Sequence, residues 1–282
     1  MRPHFALILL TALTACGPSA KEREAEQARL AYDSISVAVD NGNYDQAVVM
    51  VDSFNVRYPL QIELRKQTNL LKARSIEQLT LRQIEAADSA ITNLRYEVSQ
   101  LDNDFVLVQS NPNVKGYYVA KALKGRAMAG TGIEPRLGDN DMPWTLLVNI
   151  AGQRCDVTTL DLRADGITVA SATATSGDRA VKDDSGSTTF FTPEEAAQIG
   201  QYCAENPVAV TAYASGQGIK SPVKIAVSAQ LADAIGRTWK IANAKEALQT
   251  ALITREKLER RLQIARDQIA NALPDTIAAP AN

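Results

Sequence analysis

The residues that could do chemistry are few and scattered. Acidic pairs stand at Asp139/Asp141, Asp183-Asp184 and Glu194-Glu195. Paired carboxylates at a set separation can hydrolyse glycosides. Two of these pairs lie in Gly/Asn/Ser-rich stretches and the third opens a helix, so solvated turn and cap residues explain them better. Asp139-Asn140-Asp141 also begins like a Ca²⁺ loop, but the Gly and distal Glu of an EF-hand do not follow at their positions. Ser185-Gly186-Ser187 offers hydroxyls without a base. The one histidine, His4, falls in the apparent targeting segment, so the mature chain would have none. That excludes Ser-His-Asp and Cys-His catalysis and His-ligated metals. Gly216-Gln217-Gly218 reads as a loop between strands and not a phosphate cradle, because no helix with a Lys-Ser/Thr opens directly after it. Trp144 and Trp239 could join a ligand surface, with core packing the stronger use. Besides Cys16, the chain has two cysteines, Cys155 and Cys203. An even count in an oxidising compartment allows a disulfide between them, with two buried free thiols as the alternative. No catalytic, cofactor or metal site emerges.

Net charge is −2 over 282 residues, or −3 without Arg2, which argues against a nucleic-acid partner. Residues 1–16 place Arg2 before an apolar run from Phe5 to Leu13, far short of the ~20 residues that span a bilayer. Residues 1–15 therefore read as a signal peptide. Its end, Leu13-Thr14-Ala15-Cys16-Gly17, resembles a bacterial lipobox. The resemblance implies cleavage before Cys16 and acylation of its sulfur, an anchor of several acyl chains (palmitate among them) at about 0.8 kcal/mol per buried CH₂. Position +2 after the cleavage site holds Gly17 and not the Asp of inner-membrane retention, and no acidic surface-export cluster follows. An outer-membrane, periplasm-facing lipoprotein is expected.

The elements that would position any site come next. Residues 16–59 read as a lipidated linker and a helical hairpin. Its first helix runs Glu24 to Val39, with Leu30, Ile35 and Ala38 on one side, and stops at Asp40-Asn41-Gly42-Asn43. Its second runs from Tyr44 to about Phe54. Gly42, Tyr44, Ala47 and Pro59 fall at the spacings of half a tetratricopeptide repeat, with Tyr44 expected to fill the space between the helices. A solenoid needs about three such repeats, and only one is visible. Residues 60–110 form a first coiled-coil arm, in which Ile84, Ala87, Ile91, Leu94, Val98, Leu101, Phe105 and Val108 alternate at three- and four-residue steps. Residues 228–274 form a second, with Ile241, Ala244, Leu248, Ala251, Arg255, Leu258, Leu262, Ala265, Ile269 and Ala272 in the same rhythm. Residues 275–282 read as a frayed tail. At 1.5 Å per residue each arm would span roughly 70 Å. Glu77 to Asp104 carries six acidic and two basic residues, whereas Lys245 to Asp267 carries six basic and four acidic. Opposite balances favour an antiparallel pairing of the two arms within one chain. Ile84 is then expected near Leu252, and Phe105 near Leu231 or Ile235.

Residues 111–227, between the arms, change character. Alternating or β-branched runs at 117–120, 144–150, 155–162, 166–171, 187–191, 208–213 and 222–227 predict about seven strands. Thr192-Pro193-Glu194-Glu195 predicts a helix start, with Ala197, Ile199 and Cys203 facing inward. The fold class expected is α+β: a helical hairpin and a long antiparallel coiled-coil hairpin carrying an inserted, mostly antiparallel β-domain with one helix.

This order of lipobox, helical hairpin, long helix, an insert opening Gly116-Tyr117-Tyr118-Val119, and a returning helix with Ala234-Ile235-Gly236 resembles uncharacterised outer-membrane lipoproteins of the Bacteroidota. The resemblance implies an envelope location and no activity. The leading expectation is a non-enzymatic, membrane-anchored lipoprotein whose coiled coil is a spacer and whose β-domain binds another envelope component. The alternatives are a lipoprotein that binds a glycan or peptidoglycan fragment, and an adaptor using the tetratricopeptide-like hairpin to hold a protein. The expected partners are the bilayer, through acylated Cys16, and an envelope protein or glycan.

Overall fold

The computed structural model describes residues 19–109, 113, 115–125, 130–138, 143–175 and 180–272. The lipidation site Cys16, His4, Asp139/Asp141 and the 275–282 tail lie outside the described residues. Among those described, the chain is mixed α+β, with five α-helices and two antiparallel sheets. It divides into two compact units, a helical one of residues up to 87 together with those from 254 onward, and a β-rich one of residues 88–253.

In the helical unit, helix α1 (Ala20–Asp40) starts at Ser19, whose hydroxyl accepts from the Glu22 amide while the Glu22 carboxylate accepts from the Ser19 amide. This reciprocal cap satisfies two of the donors a helix start leaves open. It also begins the helix four residues before the expected Glu24. Helix α2 (Tyr44–Arg57) follows. Ala28 and Ile35 of α1 pack with Val51, Phe54 and Tyr58, and Leu64 and Leu71 close the cluster. Leu30 departs from expectation: it is 61% exposed, because at about 100° per residue it sits some 140° around the helix from Ile35. Tyr44 departs too. It is only half-buried, and the Arg82 guanidinium lies 4.9 Å from its ring centre. The fully buried Ala47 permits the close approach of α1 and α2.

Helix α3 (Ile62–Asp102) and helix α5 (Ala229–Ala272) are the long helices. Between positions 81 and 100 of α3, only Ile84, Ala87, Ile91, Leu94 and Val98 are less than exposed. Along α5 the ten expected seam positions are likewise all buried or half-buried. Acidic residues of the first helix meet basic ones of the second inside each unit: Glu77 pairs with Arg266 at 3.1 Å in the helical unit, and Asp102 with Lys245 at 2.8 Å in the β-rich one. The buried hydroxyls of Thr68, Ser75 and Thr80 donate to carbonyls of their own helix.

The first arm ends earlier than its heptad rhythm implies. Helix α3 stops at Asp102, and Phe105–Val108 is strand β1, paired with β2 (Tyr117–Ala120). Four apolar residues in a row satisfy a heptad and a strand equally, and here cross-strand pairing wins. Phe105 and Ile235 are both buried in the one large core of this unit, with Leu231 partly buried against it.

Among the described residues the β-rich unit holds ten strands, not seven. After β2, a 3₁₀ turn at Lys121–Leu123 leads to β3 (Gly132–Gly138), β4 (Thr145–Ala151), β5 (Asp156–Ala164), β6 (Ile167–Thr173), β7 (Val181–Lys182) and β8 (Gly186–Phe191). Helix α4 (Pro193–Glu205), β9 (Val210–Gln217) and β10 (Val223–Val227) complete it. One sheet has the order β1-β2-β3-β4-β8-β7 and the other β10-β9-β5-β6. A two-residue turn at Asp165-Gly166, both with positive φ, joins β5 to β6, as right-handed strand twist favours. Gly216 and Gln217 continue β9 and are not loop. One core joins both sheets: Leu146, Val148, Ile150 and Phe191 from the first, Leu160, Leu162, Ala212 and Ile225 from the second, closed by Ile199 of α4 and Ile235 of α5.

Cys155 and Cys203 are both buried and both free. The Cys155 sulfur instead lies 3.1 Å from the Ser187 hydroxyl. Helix α4 is fastened without a bridge. Thr192 and Glu195 cap it reciprocally, and the buried Glu195 carboxylate also accepts from the Thr175 amide and hydroxyl at 2.6 and 2.7 Å. Gly200 and Gly236 then let α4 and α5 cross in near backbone contact, Gly200 against Trp239 and Gly236 against Ala204.

Candidate functional site

The outward face of the six-stranded sheet carries the site. Alternation along each strand sends Ile133, Leu137, Leu146, Val148 and Phe191 to the core, and sends Glu134, Arg136, Leu147, Asn149, Thr188 and Phe190 to the other side. Register then builds rows across the sheet. Glu134 lies opposite Leu147, and Leu147 opposite Phe190; one pleat along, Asn149, Thr188 and Val181 form a second row. Val108 and Tyr117 face each other at the β1 side. Together with Val119 and Leu123 these residues line a concavity of about 590 Å³, within the range of small-ligand sites, which are mostly apolar with a few fixed polar groups.

The polar groups are tightly arranged. The Arg136 Nε donates to Glu134, and the guanidinium lies 3.9 Å from the Tyr117 ring centre, a cation–π contact that fixes its plane. Burial pushes the Tyr117 phenol above its ordinary value. Arg136 opposes that shift and Glu134 adds to it. Deeper in, the Thr188 hydroxyl donates to Asn149 at 2.9 Å and the Asn149 amide donates to the Gly130 carbonyl at 2.7 Å. Among the described residues no nucleophile here stands beside a base.

The residues singled out from sequence fall elsewhere. Asp183 closes the turn between β7 and β8, accepting from the Ser185 hydroxyl and amide and the Gly186 amide; the Ser185 hydroxyl is the main cause that holds its carboxyl below the ordinary range. Asp184 is exposed beside Arg154. Glu194 and Glu195 open α4 as expected. Ser187 is buried and donates to the Gln153 carbonyl. Trp144 is buried in the core, and Trp239 packs on it. Among the described residues no group of three His, Cys, Asp or Glu is placed to hold a metal, and no helix is long and apolar enough to cross a membrane.

Sequence reasoning missed Glu134 and Arg136 because it missed β3. Gly132-Ile-Glu-Pro-Arg-Leu-Gly138 contains a proline and two charges, all depleted in strands. The β2–β3 ladder covers only Leu137 and Gly138 of this strand, so it does not reach Pro135, which has no N–H to offer. The available signal was period two: Ile133, Pro135 and Leu137 alternate with Glu134 and Arg136.

The outer face of the other sheet is different in kind. Tyr213 lies between Arg163 at 4.5 Å and Lys224 at 5.8 Å, and Asp161 accepts from Ser171 at 2.7 Å, a polar surface. In the helical unit a groove of about 760 Å³ is walled mainly by polar side chains such as Lys66, Gln67, Asn69 and Gln268. Compared with known proteins, the chain matches no family model, no curated protein and no solved structure.

Proposed function

We propose that this protein is a non-enzymatic, lipid-anchored component of the bacterial outer membrane, facing the periplasm, whose β-rich unit binds another envelope component. In this reading Cys16 carries the acyl chains, the heptad-patterned helices α3 and α5 act as a spacer, and the concave face of the six-stranded sheet is the binding surface. The observation that carries it is that face: an apolar concavity with one fixed ion pair, on a sheet whose other side already fills the core. A concavity of this size lined by apolar side chains with a few fixed polar groups has the usual make-up of a small-ligand site.

The test has two arms. Metabolic labelling with a palmitate analogue is expected to mark the wild type and not Cys16→Ser; equal labelling of both rejects the anchor. Crosslinked envelopes are then captured with the wild type and with Phe190→Glu, which puts a charge into the concavity. The partner is expected to be lost with the variant while the melting temperature holds. Its full retention rejects the concave face as the binding surface.

A further inference from the structure

The polar groups of the concavity restrict what it can hold. Among the described residues, Arg136 uses only its Nε, on Glu134, so both terminal nitrogens keep their hydrogens free. Glu134 uses one carboxylate oxygen on Arg136, and the other accepts nothing from the described residues. The two side chains are 26% and 12% exposed and lie on one strand, two residues apart. They therefore offer donors and an acceptor side by side with no net charge. Asn149 keeps one amide hydrogen and Thr188 its oxygen lone pairs, as secondary polar groups beside the ion pair. The remaining walls are Tyr117, which brings a phenol hydroxyl, and the apolar Val108, Val119, Leu123, Leu147, Val181 and Phe190.

Resting on the concave face as the binding surface, we propose that its ligand is an extended apolar peptide segment, one of whose peptide groups lies on the Glu134–Arg136 pair. The peptide carbonyl accepts from the free guanidinium nitrogens and its N–H donates to the free Glu134 oxygen, while apolar side chains on either side cover the half-buried Phe190 and Val108 and the exposed Val181. A carboxylate would meet Arg136 only by also meeting Glu134, whose like charge opposes it. An acyl chain would bury the pair with nothing opposite it. A sugar would set several of its hydroxyls against the apolar walls, with Tyr117, Asn149 and Thr188 as the other polar partners beside the ion pair. A peptide group alone supplies one donor and one acceptor at neutral charge with apolar substituents on both sides.

The test uses the full mature chain carrying Cys16→Ser, with binding followed by NMR shifts of assigned methyl and amide groups. The probes are N-acetyl-Leu-Phe-Val-amide, decanoate and tetrameric N-acetylglucosamine. The tripeptide is expected to bind and to shift residues of β2, β3, β4 and β8. Arg136→Met is expected to weaken it about tenfold or more, the scale of losing a charge-assisted hydrogen bond. Arg136→Lys, which keeps the charge but not the parallel donors, is expected to do the same and serves if the first variant folds poorly. Glu134→Gln leaves Arg136 uncompensated and is expected to reverse the preference toward decanoate. Decanoate or the sugar binding the wild type at these strands as tightly as the tripeptide overturns the ligand class and leaves the site standing. Tripeptide shifts confined to other strands overturn the site as well. No tripeptide response up to about 10 mM, or affinity unchanged in the Arg136 variants, overturns the proposal.

Discussion

A single methyl group added at Gly236 tests how tightly α4 is held on α5. A Cβ at that position would lie 2.6 Å from both the Cα and the backbone nitrogen of Ala204, and 2.7 Å from the carbonyl carbon of Cys203. All three atoms are helix backbone, so no side chain can swing aside and α4 itself must move. Moving it would open the layer in which Ile199, Cys203 and Ile235 are buried. Two effects compete. Alanine is favoured over glycine inside a helix by about 0.8–1 kcal/mol. Overpacking a close contact costs about 1–3 kcal/mol, and more where backbone must shift. The clash with backbone places this case at the upper end, leaving Gly236→Ala less stable by about 1–2 kcal/mol. For a unit of this size that lowers the melting temperature by about 2–8 °C. Trp144 and Trp239 both lie in the β-rich unit, so tryptophan fluorescence on heating or in urea reports that unit. A rise in stability by the propensity difference alone would refute the close crossing.

Three further outcomes follow from other contacts. Glu195→Ala removes a buried carboxylate that accepts from Thr175 twice and from Thr192, and is expected to cost about 2–4 kcal/mol in urea unfolding; a loss under about 0.5 kcal/mol would contradict these bonds. Burial pushes the Cys203 thiol up to about 12 from its ordinary 9.0, so the folded state holds this proton more tightly than the unfolded one. Its contribution to stability is complete below about pH 9 and is lost from there toward pH 12, at about 1.4 kcal/mol per unit. Cys203→Ala is expected to flatten that slope, and an identical slope in the variant would show that Cys203 is not its cause. Within the helical unit, reversing Glu77 to Lys is expected to destabilise slightly and Arg266→Glu to restore it, with a coupling of about 0.2–1 kcal/mol for this partly exposed pair; zero coupling in a double-mutant cycle would separate the two residues.

What the sequence made legible is what repeats with a period. The seam positions of α3 and α5 were readable because heptad spacing selects one stripe of each helix, and burial follows that stripe residue by residue. The start of α4 was readable because Thr192, Pro193 and Glu195 each suit one cap position. Local pattern could not decide between helix and strand at Phe105–Val108, where the pairing partner lies beyond the next loop. Nor could it find β3, whose proline and charges disguise a strand that only tertiary pairing stabilises. Because Glu134 and Arg136 sit on that strand, the candidate site stayed hidden while most of its framework was visible. The spacing of two cysteines carried no geometry, and the thiols are two free, buried groups.

The measurement that tests the account most directly is site-specific photo-crosslinking in living cells, with a benzophenone amino acid placed at Phe190 on the concave face or at Tyr213 on the opposite sheet. A discrete protein adduct from position 190, with none from position 213, is the result expected. Adducts from position 213 alone, or none from position 190 in a chain that is acylated and folded, would contradict it.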